Sequence, residues 1–235
     1  MAQRPPLAER LALAGPAGDL EALIETPLID GGSAAAVSAF GVVCHPHPLY
    51  GGTLDNKVVW TVARAFGQLG APTIRFNFRG VGRSGGRYDE GDGETADLLA
   101  VIACGRQRWP QAALWLGGFS FGGVVAVRAA GEAHPARLVA VAPGITKLDV
   151  SRAAPPACPW LIVQGDQDEV VAPQAVLEWA QRLVPAPEVS VVPGASHFFH
   201  GRINELRETV LAFMARAQGL SDSASAAADR AAARR

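Results

Sequence analysis

The chain has 235 residues, of which 49% are hydrophobic and 18% charged, enough apolar material for a real core and too much for global disorder. Lys and Arg number 21 against 22 Asp and Glu, a formal charge of −1, so no global field gathers polyphosphate and nucleic-acid partners are not expected. Three dispersed cysteines, Cys44, Cys104 and Cys158, form neither a disulfide framework nor a zinc-type pair, which points to a reducing compartment. Glu9, Arg10, Gly15, Pro16 and Asp19 interrupt the N-terminal apolar residues and argue against a secretory signal. No apolar run reaches the roughly 18 residues that a membrane helix needs. The expectation is a soluble, cytoplasmic protein with no membrane partner.

In chain order, the stretch ahead of Val37 reads as an antiparallel strand or hairpin. Val37–Cys44 is a β-branched strand that ends at His45-Pro46-His47-Pro48. Asp55–Leu69 carries apolar residues at helical spacing, and Pro72–Phe78 is a strand that breaks into a glycine-rich loop. Asp92–Trp109 reads as a helix and Ala112–Gly118 as a strand, followed by an apolar helix to about Glu132. Arg137–Pro143 and Trp160–Gly165 are strands, Pro173–Leu183 a helix, Glu188–Gly194 the last strand and Arg202–Gln218 a closing helix. Alternating strands and helices predict an α/β fold, a mostly parallel sheet covered on both faces. Residues 1–218 read as one domain, and 219–235 as a low-complexity, disordered tail.

Gly118-Phe119-Ser120-Phe121-Gly122 is a G-x-S-x-G motif lying between a predicted strand and a predicted helix. A tight turn there exposes the serine hydroxyl, and the helix N-terminus behind it favours developing negative charge. A serine hydroxyl is a poor nucleophile without a base. His197 follows the last strand, and the loop after Trp160–Gly165 offers Asp166 and Asp168. All these groups fall at C-terminal strand ends, where open α/β sheets build their sites.

With these motifs the chain resembles the α/β-hydrolase superfamily over about residues 20–218, in a small, lidless, mostly bacterial branch of serine hydrolases near the dienelactone hydrolases. His45–Val59, Phe76–Gly86 and Gly91–Leu98 add to the likeness. The resemblance implies a Ser-Asp-His triad that attacks an acyl carbonyl without a cofactor or metal. Ser120 matches the nucleophile, His197 the base and Asp168 the acid, with Asp166 as the alternative acid. Phe121, after the nucleophile, would supply one oxyanion N–H. The second would come from the loop after Cys44, where Pro46 and Pro48 have no N–H. His47 or Leu49 remains, and the family pattern favours His47.

The segment 144–158 is short and proline-rich, so it forms a loop and not a helical cap. An open site favours small, short-chain esters, with Leu49, Tyr50, Phe119, Phe121, Phe198 and Phe199 as apolar walls. The implied activity is that of a carboxylesterase. Thioesterase or peptidase chemistry on the same triad, or a non-catalytic binding protein on this scaffold, are the alternatives. Two features read as rivals. His45 and His47 suggest a metal pair, but no third ligand stands nearby in sequence. Gly80–Gly85 matches the dinucleotide-binding G-x-G-x-x-G, but loop residues follow where a helix should open. Arg79 and Arg83 beside it are expected to pair with carboxylates such as Asp89, Glu94 or Asp97.

Overall fold

The computed structural model describes residues 6–27, 37–150 and 153–216. The tail 219–235 and the end of the closing helix, as read from sequence, lie outside the described residues. The strands are β1 (Leu7–Leu13), β2 (Leu20–Thr26), β3 (Ala39–Cys44), β4 (Thr73–Phe76), β5 (Ala113–Phe119), β6 (Arg137–Val141), β7 (Trp160–Gly165) and β8 (Glu188–Val192). The helices are α1 (Lys57–Gln68), α2 (Asp92–Arg108), α3 (Phe121–Ala133), α4 (Pro173–Gln181) and α5 (203–216). Segment ends shift from the sequence reading by a residue or two where a side chain stops the element. Asn56, for example, caps α1 by accepting from Val58 N at 2.9 Å and Val59 N at 3.4 Å, so the helix opens at Lys57 and not Asp55.

The eight strands form one sheet in the order β1-β2-β4-β3-β5-β6-β7-β8. β1 and β2 are the expected hairpin, and β2 runs antiparallel to β4. From β4 to β8 all neighbours are parallel. The central strands β3, β5, β6 and β7 are buried and largely apolar on both sides because helices cover both faces. Phe40, Val42, Leu116 and Ile162 pack with α2, α3 and α4, while Val43, Val139 and Val163 pack with α1 and with Leu206, Val210 and Met214 of α5. No helix among the described residues is long and apolar enough to cross a membrane.

Strand order positions the site. The chain steps from β3 to β4 on one side and to β5 on the other, so the loops leaving the adjacent ends of β3 and β5 diverge around a crevice. The loops after β7 and β8, also neighbours, approach it from the far edge. Between β6 and β7 the described residues form turns and no helix, so no cap domain is inserted there among the described residues.

Candidate active site

Ser120 stands at the tip of the β5–α3 turn with φ 54° and ψ −115°, a conformation side chains rarely adopt. Its N–H donates to Val141 O at 2.9 Å and its C=O accepts from Gly144 N at 3.0 Å, so the end of β6 holds the strained residue in place. The flanking glycines are required by close approach. A Cβ on Gly118 would collide with Gly122 O, and one on Gly122 would collide with the carbonyls of Cys44 and His45. This packing brings the β3 loop against the serine turn.

The buried His197 ring bridges the other two groups. Its Nε2 lies 3.0 Å from Ser120 Oγ, and its Nδ1 donates to Asp168 Oδ2 at 2.8 Å. A carboxylate on Nδ1 fixes the proton there in the neutral ring and leaves Nε2 free to accept from the hydroxyl. Phe119 backs the ring at 4.9 Å between centroids, and Phe198 meets it edge-on at 5.1 Å.

Asp168 is buried yet accepts four hydrogen bonds: Oδ1 from Val170 N (2.9 Å) and Val171 N (2.8 Å), Oδ2 from His197 and from Gln164 Nε2 (2.9 Å). Burial works to raise its pKa, but the hydrogen bonds from His197, Val171 and Val170 outweigh that and hold the carboxyl below its ordinary value. Asp166, the alternative acid, does not reach the histidine. It is exposed and accepts from Gly194 N at 2.6 Å. Glu169 accepts from the backbone N–H of His197 at 3.2 Å, and Gln167 N donates to Ala195 O at 3.1 Å. The β7 loop thus ties down the histidine loop at several points. Sequence reasoning missed Gln164 and Glu169; the signal was a polar residue at the end of an otherwise apolar strand and an acid next to Asp168.

Phe121 is the first residue of α3, so its N–H has no acceptor within the helix. Leu49 N–H is committed to His47 Nδ1 at 3.2 Å, whereas the N–H of His47 has no acceptor among the described residues. The loop that carries His47 is stiff, because Tyr50 N and Gly52 N both donate to His47 O at 3.1 Å. The His47 ring packs against Tyr50, Tyr88 and Phe121 at 4.7, 5.0 and 4.9 Å.

The expected apolar walls divide. Leu49, Tyr50 and Phe198 are exposed at the rim, at 65%, 85% and 40% of their free surface. Phe119, Phe121 and Phe199 are buried and do not face the crevice as expected. Phe119 ends β5 on the face that packs with α1 and α5, so strand alternation turns it into the core behind His197. Tyr88, which the sequence reading passed over, is half-buried against His47 and Phe121. His200 stacks on Phe198 at 5.9 Å.

His45 is fully buried, and its Nε2 accepts from Phe78 N at 3.0 Å, which removes the lone pair a metal would need. Burial pulls its pKa down to about 4. Among the described residues no group of three His, Cys, Asp or Glu side chains is arranged to hold a metal. In the Gly80–Gly85 loop, the N–H groups of Gly80, Ser84 and Gly85 bond to Gly85 O, Val81 O and Asp19 O, and the next helix opens only at Asp92. Those donors hold the loop to itself and to the β-hairpin. Arg79 forms a forked pair with buried Asp97 at 3.0 and 2.8 Å, as expected, while Arg83 pairs with Glu21 at 3.1 Å, a partner not foreseen.

A family model described as the alpha/beta hydrolase fold matches residues 43–143. An uncharacterised protein of Rickettsia prowazekii is 33% identical over 195 residues, spanning 77% of this chain and 82% of that protein. A solved serine hydrolase without a lid from Xanthomonas campestris is 42% identical with a TM-score of 0.84, covering 92% of this chain and 97% of its own. A serine hydrolase homologue from Coxiella burnetii is 47% identical with a TM-score of 0.81, covering 86% and 95%. The chain belongs to the α/β-hydrolase superfamily, in its small lidless branch.

Proposed function

We propose that this protein cleaves small carboxylic esters through an acyl-enzyme, with Ser120 as nucleophile, His197 as general base and Asp168 as the acid that orients it. The observation that carries this reading is the unbroken hydrogen-bond chain from Ser120 Oγ to His197 (3.0 Å) and on to Asp168 (2.8 Å). Family membership supports a hydrolase.

In the proposed cycle, Ser120 Oγ attacks the carbonyl carbon as its proton passes to His197 Nε2. Asp168 stabilises the imidazolium that results. The N–H groups of Phe121 and His47 receive the oxyanion, aided by the N-terminus of α3. His197 returns its proton to the leaving alcohol, and water then cleaves the acyl-enzyme by the same proton path. The open crevice, rimmed by Leu49, Tyr50 and Phe198, suits short acyl groups that need no enclosed tunnel.

The test is hydrolysis of p-nitrophenyl esters from acetate to palmitate by wild type and Ser120→Ala. Turnover should peak at short chains, and kcat should fall on the order of 10⁴-fold or more in the variant. Equal turnover by both proteins would remove Ser120 from the mechanism.

A further inference from the structure

We infer that Gln164 is a positioning residue, which fixes the Asp168 carboxylate from behind and shares its charge with His197. The inference rests on the triad reading above. Gln164 is the penultimate residue of β7, is fully buried, and shares a face with Ile162 under α3 and α4. Its Nε2 donates to Asp168 Oδ2 at 2.9 Å, the same oxygen that accepts from His197 Nδ1, with a longer contact to Gly165 O at 3.3 Å. The amide nitrogen must face the carboxylate, since the flipped amide would oppose two acceptors. In that orientation Gln164 Oε1 is buried without a partner among the described residues. An unpartnered buried carbonyl is costly, and a core position does not retain one without a use for the other half of the amide.

Two consequences follow from one oxygen serving two donors. The carboxylate cannot rotate away from His197, because Gln164 pins Oδ2 while Val170 and Val171 pin Oδ1. The negative charge that His197 meets is also partly spent on the amide, so the imidazolium is stabilised less than by a lone carboxylate. Few other charges compete. Asp166 and Glu169 on the same loop are exposed and bonded to Gly194 N and His197 N. His200 lies beyond Phe198 and His47 across the crevice. On the covering helices Arg128 is paired with Asp92, and Glu132, Glu178 and Arg182 reach solvent. The strand residues on either side of Gln164, Ala142 and Val191, are apolar.

The test is the rate of Ser120 phosphonylation by a fluorophosphonate probe against pH, in wild type, Gln164→Met and Gln164→Glu. Methionine keeps the length and volume and removes the donor. In Gln164→Met the acid limb should move up by about half a pH unit to one unit, and the plateau rate should fall about tenfold, one factor of ten per 1.36 kcal/mol. Gln164→Glu keeps the shape and donates only when protonated, so it should label like wild type at low pH and lose labelling as its carboxyl ionises. It decides the matter if the methionine variant does not fold. A lower rate with the limb unmoved in the folded variant would make Gln164 a core residue only and overturn the inference. A wild type that does not label would instead refute the triad.

Discussion

Asp168→Asn is the sharpest probe of the site, because the structure dictates what an amide must do there. Oδ1 accepts two backbone N–H groups and Oδ2 accepts from His197 and Gln164, so every surrounding group is a donor. An asparagine must turn its NH₂ to one of these sides. If the NH₂ faces His197, the ring is driven to the tautomer with its proton on Nε2, and that nitrogen no longer accepts from Ser120 Oγ. If the NH₂ faces Val170 and Val171, two buried hydrogen bonds are lost at about 1–3 kcal/mol each. The first arrangement keeps both backbone bonds and gives up only the one from Gln164, so the wrong tautomer should dominate. The expected fall in kcat is on the order of 10⁴-fold, about 5 kcal/mol, the size seen when the triad acid of an unrelated serine protease becomes an amide. Folding should be nearly intact, because the side chain keeps its shape. The assay is kcat for p-nitrophenyl acetate with urea unfolding alongside, and Asp166→Asn is the control. Among the described residues Asp166 holds only Gly194 N, so its variant should stay within a few-fold of wild type. A folded Asp168→Asn within tenfold of wild type, or equal losses in both variants, would refute the reasoning.

Three further outcomes are expected. His45 is neutral in the fold, with a pKa near 4, whereas the unfolded chain titrates at about 6.5. The unfolded state therefore binds more protons between these values. About 3 kcal/mol of stability should be lost as pH falls from about 6.5 through about 4. Urea titrations across that window should show a slope that His45→Gln abolishes, and an unchanged slope would mean His45 is not the titrating group. Phe119→Ala should cost about 3–5 kcal/mol of stability, as a buried aromatic does. Phe198→Ala should leave the melting temperature nearly unchanged and raise KM for short esters; the reverse pattern would contradict their assigned places behind and beside His197.

Much of this protein is legible without coordinates because the relevant information is local. The period of the apolar residues separates β3 to β8 from the helices between them. Gly118 and Gly122 mark a turn in which any side chain would strike backbone, so the place of Ser120 is written in its immediate neighbours. His197 is legible in the same way, as the histidine of the loop that follows the last strand. What sequence alone left open are matters of path and of competition for hydrogen bonds. Asp166 and Asp168 share one loop and one chemistry. Only the turn that aims Val170 N and Val171 N at Oδ1 sends Asp168 under His197 and leaves Asp166 to clamp Gly194. Between His47 and Leu49 the family pattern favours His47, and in the structure the His47 side chain takes the N–H of Leu49. Phe119 reads as a pocket wall beside the serine, yet the alternation of β5 faces it into the core. Gln164 reads as a polar interruption of a strand, and only the fold-back of the loop after β7 brings the Asp168 carboxylate to its amide. Backbone shape follows from neighbours in the chain, but a donor's choice among several acceptors follows from which of them the packed sheet brings within 3 Å.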